Sequence, residues 1–512
     1  MTLMRRANPF LFGQFVGALV STFAVTALAD GLDTPAGGVV QMGRSGAWLA
    51  RADDPLSAFV NPAAMVRNAN GVHLGTHLMF RNQCFTRLGE DGQPLAASST
   101  FLPPTGALCA DLPPFPNPQV GATFRIGRTV AVGFAVVGPH KSGKATWPAT
   151  VDAPNKFGIT VPQPSGSRYM LLDDEALLAY PTLSAAVALR SNLSLGAGFV
   201  WGIAKYGFSN MAAVTGDAST FSNDMKAKIS GFDGFVPGFV VSALYSPSSR
   251  LDLAATYRYS DAIRSKADLY AQSNYYDSKG QVNTVGIEDP KNVTDLKGAA
   301  SFKFVIPMEA RVGVRYHQPR YQSMSGGQAW LTKHAGAARD GMSEDLFDVE
   351  LDLTWSHTSA VKNIEIRLAE GTQLNVGGTT APAPVNADVP RNWRDIMGVR
   401  LGGEYVVIPD LVAVRAGGFF ETQGVDDAFL SLDFQQALKA GMSVGATVRL
   451  AMLDVSLGYM HTFFGTLDNA GKGLVHGLSG VESAGFRTPE VINGGRLTGR
   501  LDEVALGVTA HF

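Results

Sequence analysis

The chain has 512 residues, of which 46% are hydrophobic and 17% charged, with a mean hydropathy of +0.07 and a formal net charge of −2. A net charge so close to zero leaves no electrostatic footprint for nucleic acid and excludes that class of partner. After the first thirty residues or so, no apolar run reaches the roughly 18 residues of a membrane-spanning helix, which excludes a helical membrane protein.

The first residues predict a secretory signal peptide. Arg5 and Arg6 precede a long apolar run that closes with Ala27-Leu28-Ala29. A charged start, an apolar middle and a small-residue end are typical of a cleaved export signal. A single uncleaved N-terminal anchor is the alternative. We assign residues 1–29 to the signal peptide and expect the exported chain to start near Asp30.

The chain contains two cysteines, Cys84 and Cys109, which fall in one predicted loop region. Export to an oxidising compartment allows them to form a disulfide. Two unpaired thiols are the alternative, but exposed free cysteines are uncommon in exported proteins. We therefore expect a Cys84–Cys109 disulfide.

Segments of alternating apolar and polar or small residues recur along the rest of the chain and predict β-strands that cross a membrane. In the clearest one, Val504, Leu506 and Val508 alternate with polar or small residues, and the strand ends in Phe512. Such an ending resembles the signal by which the barrel-assembly machinery recognises outer-membrane barrels. We count about fourteen crossings: 71–81, 118–126, 129–138, 177–190, 193–207, 229–245, 250–263, 296–316, 346–357, 394–407, 411–422, 440–450, 452–463 and 500–512.

The connections between the first eight crossings alternate between long and short, as in a barrel inserted with a fixed orientation. We predict an all-β fold, a transmembrane antiparallel β-barrel of about fourteen strands over residues 71–512. One connection, 317–345, is long on the side of the short turns. Either it is a periplasmic insertion or the strand count is wrong by a pair there. Pro307 also leaves open that 296–316 is two strands.

Residues 30–70 lack sustained alternation and precede the first predicted strand. Several glycines are followed there by Asp53-Asp54 and then by Asn61-Pro62-Ala63. This order resembles the plug segment of the FadL family, outer-membrane channels for long-chain fatty acids and other hydrophobic compounds. An ordinary Asn-Pro turn is the alternative reading of the last motif. Further similarity to the family's barrel strands follows in order at 180–198, 392–418 and 454–463.

The resemblance implies a fold and a function. Residues 30–70 would form a hatch inside the barrel lumen, gated through Asp53, Asp54, Asn61, Pro62 and Ala63. The protein would be a monomer in the outer membrane of a Gram-negative bacterium, in contact with outer-membrane lipid. It would take up long-chain fatty acids or other hydrophobic small molecules passively, by capture in its loops, rearrangement of the hatch and lateral release.

In the resembling family, the lateral opening is made by a kink in the third strand. Gly138-Pro139 closes the third predicted strand here and is the candidate for that kink; the alternative is that it merely starts the next loop. Four apolar loop clusters would supply the outer capture site or pack among themselves. They are 101–104, 112–116, 157–161 and 270–276, and the cationic candidates for binding a carboxylate are Arg125, Arg258, Arg315 and Arg400, with none preferred.

The sequence carries no pattern that indicates catalysis. His73 and His77 face the same side of the first strand but lie roughly 13 Å apart, too far to share an ion. No nucleophile elbow or phosphate loop occurs, and no serine can be paired with His357, His461 or His511 from the sequence. We predict no enzyme activity, no cofactor and no metal. A general diffusion porin and a structural or adhesive barrel are the remaining alternatives.

Overall fold

The computed structural model describes residues 37–93, 106–138, 143–154, 159–213, 221, 224–320, 338–478 and 487–512. The predicted signal peptide, residues 1–29, lies outside these ranges. Within them the chain is built mainly from β-strands. None of the helices in the described ranges is long and apolar enough to cross a membrane.

Fourteen antiparallel strands form a closed barrel in which each strand pairs with the next and the last pairs with the first. The predicted fold class and the predicted number of strands are therefore confirmed. The barrel strands are β1 (Gly71–Arg87), β2 (Phe115–Ile126), β3 (Val130–Val137), β4 (Asp173–Arg190), β5 (Leu193–Ala213), β6 (Asp224–Ser248), β7 (Leu251–Ser260), β8 (Glu309–Pro319), β9 (Asp345–Ser356), β10 (Ile396–Ile408), β11 (Val412–Glu421), β12 (Lys439–Leu450), β13 (Leu453–Phe464) and β14 (Gly495–His511).

The barrel presents an apolar outer face and a polar inner face. On β14, Val504, Leu506 and Val508 are exposed on the outside, whereas Glu503 and Thr509 are buried on the inside. The same alternation holds for the other barrel strands, because successive side chains of a strand point to opposite faces. An apolar exterior of this kind suits contact with lipid.

One end of the barrel has the short connections and is here named the turn end. Its turns are 127–129, 191–192, 249–250, 409–411 and 451–452, and the connection 320–344 also lies there. The opposite end, named the loop end, carries the long connections. The connection 320–344 is therefore an insertion at the turn end, and the alternative of a strand count wrong by a pair is ruled out.

The prediction of a single crossing over 296–316 is wrong. This stretch contains two strands, Val293–Phe304 and β8, separated by residues 305–308. Pro307 lies in the break, where its missing N–H cannot pair. The first of the two strands pairs with the strand Ile263–Gln272, part of which was predicted to be a loop. Together they form a hairpin that extends the sheet beyond the barrel at the loop end.

The remaining elements are short. The helices are α1 (Val39–Met42), α2 (Ser57–Val60), α3 (Thr284–Glu288) and α4 (Gly341–Glu344), and the 3₁₀ helices are Pro62–Arg67, Pro290–Asn292, Thr358–Ala360 and Asp427–Phe429. The other strands are Leu108–Cys109, Gly143–Thr146, Thr150–Pro154, Thr160–Pro164, Ile263–Gln272, Val293–Phe304, Asn363–Leu368, Gln373–Val376, Thr379–Pro382, Val389–Pro390, Leu467–Asp468, His476–Leu478 and Arg487–Val491.

Residues 37–70, named the N-terminal segment, pack against inward-facing residues from all around the barrel. Their wall partners include Ser242 in β6, Asp352 in β9 and Ser443 in β12. Nearly all residues of the segment are buried. The segment is therefore surrounded by inward-facing residues of strands spread around the ring, close to the turn end.

Candidate functional site

An apolar cavity of about 120 Å³ lies among the connections at the loop end. It is named the loop cavity, and its walls come from the loop ends of β5 and β6 and from six or more separate loop segments. The lining residues are Tyr169, Met170, Leu171, Phe208, Asn210, Ala212, Met225, Ala227, Ile229, Leu269, Ala271, Ile366, Leu368, Leu374, Pro384, Ala387, Val389, Arg391, Leu430, Ser431, Leu432, Asp433, Val475, His476, Ile492 and Asn493.

The loop cavity has the character of a ligand pocket for an apolar molecule. Most of its lining side chains are aliphatic or aromatic, and a few polar groups lie among them. Its apolar walls belong to a continuous buried cluster that reaches the N-terminal segment at Phe59 and Val60. Packed apolar side chains thus extend from the cavity walls to the N-terminal segment.

The Asn61-Pro62-Ala63 motif joins the N-terminal segment to the barrel wall. Asn61 Nδ2 donates to the carbonyl of Leu49 at 2.7 Å, which ties the two halves of the segment together. The N–H of Ala63 donates to Ser242 Oγ at 2.9 Å, and the carbonyl of Ala63 accepts from Ser194 Oγ at 2.8 Å. Pro62 starts a 3₁₀ helix, where its missing N–H costs no hydrogen bond.

Small wall residues allow this close contact. A Cβ atom added at Gly196 in β5 would lie 2.3 Å from the backbone nitrogen of Ala63, so any side chain there would collide with the motif. Ser184 in β4 also donates to the carbonyl of Ala58 at 2.5 Å. The motif is therefore seated directly on the backbone of the wall.

Asp53 and Asp54 have different environments. Asp53 accepts from the indole Nε1 of Trp48 at 3.0 Å and from Nε of Arg51 at 2.7 Å. Burial raises the pKa of Asp53, but the positive charges of Arg51 and Arg315 lower it, and the net pKa lies below the ordinary value. Burial, and then the charge of Asp53, raise the pKa of Asp54 to about 7.

Three inward-facing carboxylates of β9 hold the other half of the N-terminal segment. This carboxylate row consists of Asp348, Glu350 and Asp352, at alternate positions of the strand. Asp352 Oδ2 accepts the N–H groups of residues 48 and 49 at 3.1 and 3.2 Å, and the carboxylate of Glu350 accepts those of residues 50 and 51 at 2.5 and 3.2 Å. Four consecutive backbone donors are satisfied by two buried carboxylates.

Asp348, the third member of the row, accepts from arginines of the N-terminal segment. Arg44 Nη2 lies 2.6 Å from Asp348 Oδ1, and Arg51 pairs with Asp348 as well as with Glu404 in β10. All of these side chains are almost completely buried. Buried charges of this kind are stable only when they are paired and hydrogen-bonded, which fixes the segment in one position.

The described part of the turn-end insertion, residues 338–344, contacts the N-terminal segment and the barrel wall. The N–H of Arg339 donates to the carbonyl of Arg67 at 2.7 Å. Asp340 pairs with Arg449 at 2.5 Å, and the buried Met342 packs on the inward side of β10 and β11. A polar cavity of about 180 Å³ remains between the insertion, the segment and the wall. The turn end is therefore polar and charged where the loop end is apolar.

The candidate kink at Gly138 and Pro139 follows the end of β3. β3 pairs with β4 over 130–137, and the strand Gly143–Thr146 then pairs with β4 over 173–176. Residues 139–142, between these two strands, lie outside the described residues. Gly138 directly follows β3, and its carbonyl accepts from Asn117 Nδ2 at 3.0 Å. Pro139 lies outside the described residues.

The four apolar loop clusters contribute little to the loop cavity. Residues 101–104 and part of 157–161 lie outside the described ranges, and within 112–116 the ring of Phe115 packs on Met79 and Leu501. Of 270–276 only Ala271 lines the cavity. The cavity residues could not be predicted from the sequence because they come in short groups from many segments rather than in one apolar run.

The arginines proposed as carboxylate binders mostly bind protein carboxylates. Arg258 pairs with Glu309 at 2.5 Å, and Arg400 pairs with Glu421 at 2.6 Å. Arg315 pairs with Asp345 at 2.6 Å. None of them, nor Arg125, lines the loop cavity, whose arginine is Arg391, paired with Asp433.

The cysteines and histidines occupy structural positions. Cys84 of β1 and Cys109 face each other across a strand pair and form a disulfide. His73 Nδ1 lies 2.8 Å from Thr509 Oγ1. Within the described ranges no three metal-ligating side chains come together.

His357 has neighbours of the types found in a serine hydrolase, but their placement differs. Asp395 and Ser359 both approach Nδ1 of His357, at 3.1 and 3.3 Å. A relay needs the carboxylate and the serine on opposite ring nitrogens. This group of three is therefore not arranged for nucleophilic catalysis.

The fold and the site together define a class, a transmembrane β-barrel whose inward-facing residues bind its own N-terminal segment and whose loop end holds an apolar cavity. No protein-family model and no curated protein sequence matches the chain. Solved structures do match, and they place the chain in the FadL-type fold.

Three matches illustrate the similarity. A Pseudomonas aeruginosa FadL homologue has a TM-score of 0.66 and 18% identity over 94% of this chain and 100% of its own. The P. putida toluene transporter TodX has a TM-score of 0.61 and 12% identity over 94% and 99% of the two chains. The Ralstonia pickettii toluene transporter TbuX has a TM-score of 0.53 and 12% identity over 93% and 99%. At the level of the fold, these matches confirm the predicted resemblance.

Proposed function

We propose that this protein belongs to the FadL family and is an outer-membrane channel of a Gram-negative bacterium for the passive uptake of long-chain fatty acids or other hydrophobic compounds. The observation that carries the proposal is the apolar loop cavity, which is continuous with a buried apolar cluster that ends on the N-terminal segment. The fold shared with a FadL homologue and with toluene transporters supports it.

The route would begin with capture of the ligand in the loop cavity. Beneath it the N-terminal segment would act as a hatch, and a rearrangement around Asn61, Pro62 and Ala63 would open the way. The charged groups at the turn end, among them Arg51, Asp53 and Asp54, disfavour an apolar molecule. Release would therefore be sideways, past a kink at Gly138 and Pro139 just beyond the end of β3, into outer-membrane lipid.

In this proposal the protein acts as a monomer, is inserted by the barrel-assembly machinery, and performs no catalysis. A general diffusion porin is a weaker candidate, since the N-terminal segment fills the lumen that hydrophilic solutes would need. A structural or adhesive barrel would have no use for an apolar cavity among its loops. Liposome swelling with hydrophilic sugars separates the porin from the proposed channel.

Uptake of labelled oleate and toluene tests the proposal, in cells whose own hydrophobic channels are deleted. Ala227→Trp on β6 should block the loop cavity and abolish uptake, because Ala227 lines it. Ala243→Trp on the same strand places the same side chain on the lipid-facing side and should leave uptake unchanged. Absence of uptake of both compounds, with a folded, heat-modifiable wild-type barrel present, would favour the structural or adhesive alternative.

The lateral exit has its own test. Gly138→Val favours continuation of β3 past this position and should lower uptake severalfold while the loop cavity still binds ligand. Uptake equal to that of the wild type would show that ligands leave by another route.

A further inference from the structure

We infer that the loop cavity selects small neutral molecules over carboxylates, and that the ion pair between Arg391 and Asp433 is the specificity determinant. The inference rests on the proposed function and narrows its ligand class from hydrophobic compounds in general to uncharged ones of about the size of a single aromatic ring.

The size of the cavity sets the first limit. Its volume of about 120 Å³ is close to that of the engineered apolar cavity of about 150 Å³ that binds benzene in another protein. A long acyl chain has several times the volume of benzene, so the cavity would enclose only part of it. Leu368, Leu374 and Ile366 form one wall, where they offer contact but no hydrogen bond.

The charges of the cavity set the second limit. Among its described lining residues, Arg391 is the one permanent cation and Asp433 the one carboxylate. Arg391 Nη2 donates to Asp433 Oδ2, and both side chains are largely buried, with 6% and 14% of their surfaces exposed. The positive charge that would attract a ligand carboxylate is therefore already neutralised by the protein.

Neighbouring contacts hold Asp433 in place. Its Oδ1 accepts the N–H of Phe434 at 3.0 Å, and the guanidinium carbon of Arg391 lies 6.0 Å from the centre of the Phe434 ring. A ligand carboxylate that formed an ion pair with Arg391 would displace Asp433, whose buried carboxylate would then lose its ion pair with Arg391. Removing one member of a buried pair in this way is strongly unfavourable. A neutral ligand disturbs neither group.

Three ligands of one size but different charge test the inference: toluene, benzoate and benzylamine. Their equilibrium binding to the purified barrel in nanodiscs is measured against empty nanodiscs. The wild type should bind toluene at least about tenfold more tightly than benzoate. Asp433→Asn keeps the acceptor for Phe434 but releases the charge of Arg391, and should raise benzoate affinity about tenfold or more, the usual effect of a hydrogen bond to a charged group.

A reciprocal variant covers the case in which Asp433→Asn does not fold. Arg391→Met leaves the carboxylate and should raise the affinity for benzylamine, which is a cation, instead of that for benzoate. The double variant should bind toluene alone. Toluene affinity should stay within about threefold of the wild type in every folded variant, because the apolar walls are unchanged.

The outcomes separate the inference from the function on which it rests. Wild-type protein that binds none of the three ligands would contradict the proposed role of the cavity itself. Wild-type protein that binds benzoate as tightly as toluene would overturn only the inference. The inference alone would also be overturned if both single variants fold and bind toluene, but Asp433→Asn gains no affinity for benzoate and Arg391→Met gains none for benzylamine.

Discussion

Glu350→Gln is expected to loosen the N-terminal segment from the wall without unfolding the barrel. In the wild type, two carboxylate oxygens accept two adjacent N–H groups at 2.5 and 3.2 Å, and Arg44 lies 3.5 Å from the second oxygen. An amide has one acceptor oxygen, so its NH₂ group would face a backbone donor and its neutral charge would no longer balance Arg44.

The magnitude follows from the bonds that are lost. A hydrogen bond to a charged group contributes roughly 1.5–3 kcal/mol, so the loss of one shifts the equilibrium between the seated and the released segment about 10- to 150-fold. A released segment would open the lumen to ions. The frequency of openings in planar bilayers should therefore rise at least about tenfold.

Glu365→Gln is the matched control for this prediction. Glu365 makes a partly exposed ion pair with Lys303 at 2.6 Å, away from the N-terminal segment. Exposed pairs contribute little, so its ion leak should equal that of the wild type. Two results would refute the idea that the carboxylate row holds the N-terminal segment in place. One is an ion leak in folded, heat-modifiable Glu350→Gln that equals the leak of the wild type. The other is an equal increase in leak in Glu350→Gln and Glu365→Gln.

Three further predictions concern the same machinery. Gly196→Val should displace Asn61-Pro62-Ala63 from the wall and raise ion leak severalfold, because the Cβ of the new side chain would lie 2.3 Å from the backbone nitrogen of Ala63. Ala197→Val is the control, because residue 197 faces lipid, and it should leave ion leak unchanged. Equal leak from the two variants would contradict the argument. The pKa of Asp54 is raised from 3.8 to about 7 while the N-terminal segment is bound to the wall. The bound segment therefore holds a proton that the released segment loses. Binding of the segment to the wall should weaken as the pH rises from about 4 through about 7. Leak measured between about pH 5 and pH 8 should show this rise in the wild type and no slope in Asp54→Asn. Replacing Cys84 and Cys109 by serine opens a loop with a sequence separation of 25 and should lower the free energy of unfolding in urea by about 3 kcal/mol; an unchanged midpoint would show that the bridge contributes nothing.

The barrel could be predicted from the sequence because the signal for a barrel strand is local. Alternation along β14 or β5 is visible within ten residues or so, and all fourteen barrel strands overlap a predicted crossing. Alternation does not reveal whether a strand lies in the membrane or above it. For that reason Val293–Phe304 was joined to β8, and its partner Ile263–Gln272 was not recognised.

The candidate site was less predictable, because its parts meet only in the folded chain. Arg391 and Asp433 are 42 residues apart, and the cavity walls come from many loop segments. The carboxylate row, in contrast, is visible in the sequence as a pattern within one strand. Asp348, Glu350 and Asp352 occupy alternate positions on the inward face of one strand, and three carboxylates so placed are stable only if other groups bind them.

The hydrogen bonds of the N-terminal segment also constrain how fast the protein can reach its final form. Ala50 binds Glu350 across 300 residues of sequence, and Ser45 binds Ser443 across 398. Contacts this distant in sequence cost loop-closure entropy before they contribute any energy, which makes folding slow. The N-terminal segment precedes every barrel strand in the sequence, but it can bind in its final position only after β9 and β12 have formed. Its burial is therefore a late step of folding.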